Sequence, residues 1–169
     1  MRDLFVTLLF VSVFLLSFVP GLDQDVNEIG QEIKYYSYEQ LEPLLNKKND
    51  TTYVVNFWAS WCTPCLEEMP AFEKVRTKYK DEKFKLLLVS LDFPDHVESR
   101  LVPTIIKHKI KAEVVLLDDP DANSWISKIH PDWSGAIPAT LVYNASSKKF
   151  YERSFTYEEL DDLIKLKLK

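Results

Sequence analysis

The chain is poor in glycine and in cysteine. Three glycines among 169 residues leave no Gly-rich loop of the kind that cradles phosphate. There are two cysteines, and His96, His108 and His130 are scattered. No second Cys or His pair is spaced to complete the four ligands of a structural zinc site, so no metal is expected. No basic cluster breaks a net charge of −5, which argues against nucleic acid as a partner. Lys165, Lys167 and Lys169 read instead as the cation-rich end of a helix. Internal repeats and low-complexity tracts are absent. So is an apolar run of about 20 residues, the length a helix needs to span a bilayer.

Leu4 to Val19 comes nearest to such a run, interrupted only by Thr7, Ser12 and Ser17. Its length suits the apolar region of a signal peptide, and Val19-Pro20-Gly21 offers small residues for cleavage. The flanking charge is weak, since Arg2 is offset by Asp3. Residues 1–21 are therefore read as a signal peptide or an N-terminal membrane anchor, 22–34 as a linker, and 35–169 as one domain. Export would place the chain outside the cytoplasm, in the periplasm or cell envelope, secreted or tethered. Cysteines are oxidised there unless they are kept redox-active.

What the sequence does have is Trp61-Cys62-Thr63-Pro64-Cys65. An apolar run ending in Asn56-Phe57-Trp58 leads in, and a helical pattern from Leu66 to Lys80 leads out. Two cysteines at this spacing on a strand-to-helix junction read as a redox dithiol. Unpaired amides at a helix start carry partial positive charge and favour an anion. Cys62 would sit at that end, exposed, with its thiolate favoured. Thiols in such settings have pKa values of about 3.5 to 7, against about 8.5 for a free cysteine. Cys65 would lie one turn deeper and resolve the mixed disulfide.

Around this motif the pattern predicts strands over 51–59, 84–91, 113–117 and 139–143, with 149–155 pairing back as a hairpin. Helices are expected over 37–45, 63–79, 97–110, 121–129 and from Thr156 to the end. Prolines at 43, 70 and 103 should bend or shorten three of them. Thr156 and Glu159 have capping-box spacing. Strands alternating with helices and ending in a hairpin imply an α/β fold, a central mixed sheet with helices on both sides.

The stretch Phe57-Trp58-Ala59-Ser60-Trp61-Cys62-Thr63-Pro64-Cys65 resembles the active-site signature of the thioredoxin superfamily. Pro70 fits its kinked helix, and Ala136-Ile137-Pro138-Ala139-Thr140 is similar to its cis-proline loop. Leu66-Glu67-Glu68-Met69-Pro70 points to the TlpA/ResA-like branch of exported thiol-disulfide oxidoreductases. The resemblance implies a thioredoxin fold, with residues 92–132 carrying a β/α insertion. It implies Cys62 and Cys65 as the catalytic pair. It also implies substrate contacts from Trp61, Pro64, Ile137 and Pro138, with the Ile137-Pro138 bond cis. Thioredoxins carry an Asp six residues before the first cysteine; here Asn56 stands there and cannot exchange a proton. The branch instead has an acid three residues after the second cysteine, which is Glu68. Helical spacing agrees, because Cys65, Glu68, Met69 and Phe72 share one inward stripe while Glu67 faces solvent. A half-buried Glu68 would hold its proton more tightly and could shuttle that of Cys65.

The resemblance implies disulfide exchange with protein substrates, chiefly as a reductant, without a cofactor and with re-reduction by a membrane or envelope electron donor. A peroxiredoxin-like peroxidase is the first alternative. Its Thr and Pro positions ahead of the reactive cysteine fall on Ala59 and Val55, which do not match. A redox-inert thioredoxin-fold binding module is the second alternative, and an intact dithiol argues against it.

Overall fold

In the computed structural model, residues 30–168 are described. The segment 1–21, read as a signal peptide or anchor, and residues 22–29 of the linker lie outside them. The strands are β1 Lys34–Tyr36, β2 Thr52–Trp58, β3 Phe84–Ser90, β4 Glu113–Leu117, β5 Ala139–Tyr143 and β6 Lys148–Tyr151. The helices are α1 Tyr38–Leu41, α2 Thr63–Lys78, α3 Val102–Lys107, α4 Ala122–Ile129 and α5 Tyr157–Leu168.

The strands form one sheet in the order β1-β4-β3-β2-β5-β6. The first four run parallel, and β5 and β6 are antiparallel additions. Every residue of β2 is buried, because helices cover both faces of this central strand. On one face Val54 and Trp58 pack with Phe72 of α2, Ile105 of α3 and Leu160 of α5. On the other, Val55 and Phe57 pack with Leu41 of α1, Trp125 of α4 and Trp133. Asp161 ties α5 to α2, accepting hydrogen bonds from Lys78 Nζ at 2.5 Å and Tyr79 Oη at 2.6 Å.

Three elements differ from the sequence reading. β1 was not expected; its first residue, Lys34, falls at the end of the stretch read as linker, and the strand pairs with β4. Just before it, the Gln31 side chain donates to Ala112 O and accepts from Val114 N–H. The hairpin strand β6 is shorter than 149–155 and stops at Tyr151. Finally, the helix expected over 97–110 opens as a 3₁₀ turn at Pro94–His96, widens to a π-helix over Val97–Leu101, and is α-helical only over Val102–Lys107. Pro103 has no N–H for the carbonyl four residues back, and its ring crowds that turn, which widens to make room. Among the described residues no helix is long and apolar enough to cross a membrane.

The register of β2 against β5 builds the functional end of the sheet. Phe57 pairs with Ala139, so Pro138 falls beside the last residue of β2. The loop that follows β2 carries the cysteines.

Candidate active site

Cys62 is the N-cap residue of α2. Its backbone is extended, with φ −90° and ψ 98°, and its sulfur accepts the Cys65 N–H at 3.3 Å. Pro64 fits the first turn, where a missing N–H leaves no carbonyl unpaired. Cys62 and Cys65 are joined as a disulfide, with Cα atoms 5.3 Å apart. Cys65 is fully buried and Cys62 is 6% exposed. The outer sulfur is thus better covered than the sequence reading expects. Ile137 crowds it, with the carbonyl oxygen 3.8 Å from Cys62 Sγ. The Ile137-Pro138 bond is cis. Cys62, Cys65, Ile137 and Pro138 therefore meet at one point. Trp61 stands beside them and is 55% exposed, and Pro64 is exposed on the helix start.

A buried carboxylate fixes the loop ahead of the cysteines. Asp92, just past β3, accepts the Ser60 N–H at 2.9 Å, the Ser60 hydroxyl at 2.5 Å and the Ser90 hydroxyl at 2.8 Å. Sequence reasoning missed it. The one signal was a carboxylate directly after an apolar strand with no cation in its neighbourhood of the chain.

Glu68 lies one turn beyond Cys65 and is 4% exposed, while Glu67 is exposed. Its Oε1 accepts from Asn56 Nδ2 at 2.9 Å, and its Oε2 accepts the Phe155 N–H at 2.8 Å. Burial raises its pKa from 4.5 to about 7, against the opposing pull of the Phe155 and Asn56 donors and the Arg153 charge. The other Asn56 amide proton goes to Thr140 Oγ1 at 3.0 Å, across the β2–β5 pairing. Asn56 Oδ1 is buried without a partner among the described residues. Glu68 also lines an open recess of about 190 Å³ with Pro64, Glu67, Phe155 and Glu159, so a proton held on it has a way to solvent. Neither Thr140 nor the Phe155 amide was foreseen, since both act across the fold.

Of the remaining aromatic and histidine positions, Trp125 and Trp133 are core. His130 stacks on Phe150 with ring centres 4.8 Å apart. Among the described residues no three His, Cys, Asp or Glu side chains gather as metal ligands.

A mixed sheet covered on both faces, with a Cys-x-x-Cys capping a helix opposite a cis-proline, defines a thioredoxin fold. Solved structures share it. A thioredoxin-related protein from Neisseria meningitidis serogroup B aligns with a TM-score of 0.60 at 22% identity, over 72% of this chain and 87% of that one. A thiol:disulfide interchange protein of the thioredoxin family from Chlorobium tepidum TLS aligns with a TM-score of 0.54 at 21% identity, over 71% and 81%. Residues 27–148 match the AhpC/TSA family, and the chain belongs to that family. Among curated proteins it is 50% identical over 67 residues to the thioredoxin-like protein YneN of Bacillus subtilis, covering 38% of each chain. It is 32% identical over 80 residues to the thiol-disulfide oxidoreductase ResA of Oceanobacillus iheyensis, covering 47% of this chain and 39% of that protein. The chain thus spans about two fifths of the length of these two relatives.

Proposed function

We propose that this chain is a thiol-disulfide oxidoreductase that exchanges disulfides with protein substrates through Cys62 and Cys65. The observation that carries this reading is the Cys62 sulfur at the start of α2, with the Cys65 amide on it and the cis Ile137-Pro138 bond in front of it. In the reduced protein that amide and the helix start stabilise a Cys62 thiolate. The thiolate attacks one sulfur of a substrate disulfide, forming a mixed disulfide and releasing the other substrate sulfur as a thiol after proton uptake. Cys65 then loses its proton, attacks Cys62 Sγ and frees the second substrate thiol. Two electrons pass from the dithiol to the substrate, and the Cys62–Cys65 bond of the structure is the product. Glu68 takes the Cys65 proton and returns it to solvent through the recess beside it. Trp61, Pro64, Ile137 and Pro138 form the surface the substrate chain lies on.

The protein works as a reductant and is re-reduced by a membrane or envelope electron donor. Residues 1–21 direct it out of the cytoplasm or tether it to the membrane. Likeness to ResA and to the thiol:disulfide interchange protein supports the chemistry. The leading apolar run supports the location.

Trapping tests the reading. Cys65→Ser leaves the first adduct unresolved, so disulfide-linked complexes should accumulate in the cell envelope fraction and vanish on treatment with dithiothreitol. Cys62→Ser should give none. An absence of adducts with Cys65→Ser, in protein shown to be folded, contradicts disulfide exchange with protein substrates.

A further inference from the structure

A second surface adjoins the dithiol, and the chemistry above does not use it. A groove of about 300 Å³ opens between the ends of β3 and β4 and helix α4. Leu117, Trp125 and Ile126 give it an apolar floor, and Leu91, Phe93 and Pro94 form one side. Phe93 is 67% exposed, an unusual position for so large an apolar ring. It and Trp61 are two of the four large hydrophobic side chains left exposed among the described residues.

Two of its lining residues tie the groove to the active site. Asp92, in its wall, holds Ser60 of the loop before Cys62. Gly135, at its other margin, is two residues from Ile137, whose carbonyl oxygen is 3.8 Å from Cys62 Sγ. Two residues of extended chain plus that contact put the groove within roughly 13 Å of the sulfur, the reach of three or four extended residues.

The charge in the groove is of one sign. Asp118 and Asp119 line it together with Asp92, and no Lys or Arg does. Asp92 is consumed by Ser60 and Ser90. Asp119 Oδ2 accepts the Tyr38 N–H at 3.2 Å. Asp118 is exposed, and no side-chain hydrogen bond or ion pair engages its carboxylate among the described residues. His96 is the nearest ring to Phe93, edge-on at 6.0 Å.

Resting on the thiol-disulfide reading, we infer that this groove selects disulfide substrates whose reacting cysteine is followed or preceded, three or four residues away, by an apolar residue next to a lysine or arginine. The apolar side chain covers Phe93 and the Leu117–Ile126 floor, and the cation meets Asp118 and Asp119. Opposite charge across such a rim chiefly speeds encounter and sets specificity.

The test uses two peptides, each with one cysteine joined through a disulfide to thionitrobenzoate and a leucine in the apolar position, one flanked by lysines and the other by glutamates. Pre-reduced full-length protein attacks the peptide sulfur, and the thionitrobenzoate it displaces from the peptide is followed by absorbance. The mixed disulfide of 2-mercaptoethanol with thionitrobenzoate, too small to fill the groove, serves as the reference. The lysine peptide should react about three-fold or more faster than the glutamate peptide at low ionic strength. The ratio should collapse in about 0.5 M salt. Asp118→Lys should invert the preference and leave the reference rate unchanged. Phe93→Ser should slow both peptides together. Equal peptide rates, or a preference that survives Asp118→Lys, overturn the groove assignment while a normal reference rate keeps the dithiol reading intact. Failure to reduce all three disulfides overturns the dithiol reading and the groove with it. A concentration-dependent dimer that Phe93→Ser dissolves would also overturn the assignment, since a second copy would then be the occupant.

Discussion

Glu68 sits where a carboxylate is costly. Burial strips most of its hydration, and two donors and the Arg153 charge only partly make up for that. Its pKa of about 7, against an ordinary 4.5, suits the base role proposed for it near neutrality. It also ties stability to pH. Between those two values the folded protein binds a proton that the unfolded chain has lost. The oxidised protein should therefore lose about 3 kcal/mol of stability as pH rises from 4.5 to 7, full stabilisation being present below that window. Glu68→Gln should flatten that slope in denaturant titrations run across the window. The same change should slow resolution of the mixed disulfide by about 100-fold near pH 8 and remove its dependence on pH around 7. An unchanged stability slope would show that Glu68 is ionised in the fold throughout. Asn56, which holds Glu68 Oε1, occupies the position where the resemblance leads one to expect an acid. Its amide supplies a donor where a second carboxylate would compete for the proton.

At the scale of elements, the start of α2 is only as well placed as the loop before it. Asp92 anchors that loop with three charge-assisted hydrogen bonds, each stronger than a neutral pair. Asp92→Ala leaves the buried Ser90 hydroxyl and the half-buried Ser60 donors without it. We expect a loss of about 2–4 kcal/mol and slower exchange by the reduced protein, read by thermal melts and by turnover of a small disulfide. Wild-type melting would show the anchor to be dispensable. This is also where sequence reading stops. Strands β2, β3, β4 and β5 were legible because apolar runs bounded by polar residues have few other fates. Cys65, Glu68, Met69 and Phe72 were legible as a stripe because helical spacing is local. β1 was not, since three residues, Lys34 to Tyr36, are too few to show a period. Neither were Asp92–Ser60 and Asn56–Thr140, whose partners stand 32 and 84 residues apart. The exposure of Phe93 and the cover over Cys62 depend on how loops close, which no spacing encodes.

The whole molecule brings three distant segments to one end of the sheet. The β2–α2 junction supplies the cysteines, the start of β5 supplies the cis Ile137-Pro138 bond, and the turn before α5 supplies the Phe155 amide. Membership of the AhpC/TSA family fits this assembly. Together these segments hold one sulfur where a helix begins, and the consequence for that sulfur can be measured. Reduced protein is alkylated with iodoacetamide across a pH series, and the label on each cysteine is followed by mass spectrometry. Cys62 should react first, with a rate midpoint below about pH 7, while Cys65 is spared. A Cys62 midpoint near the ordinary value of about 8.5, or labelling of both cysteines at the same rate, would contradict an activated outer thiol.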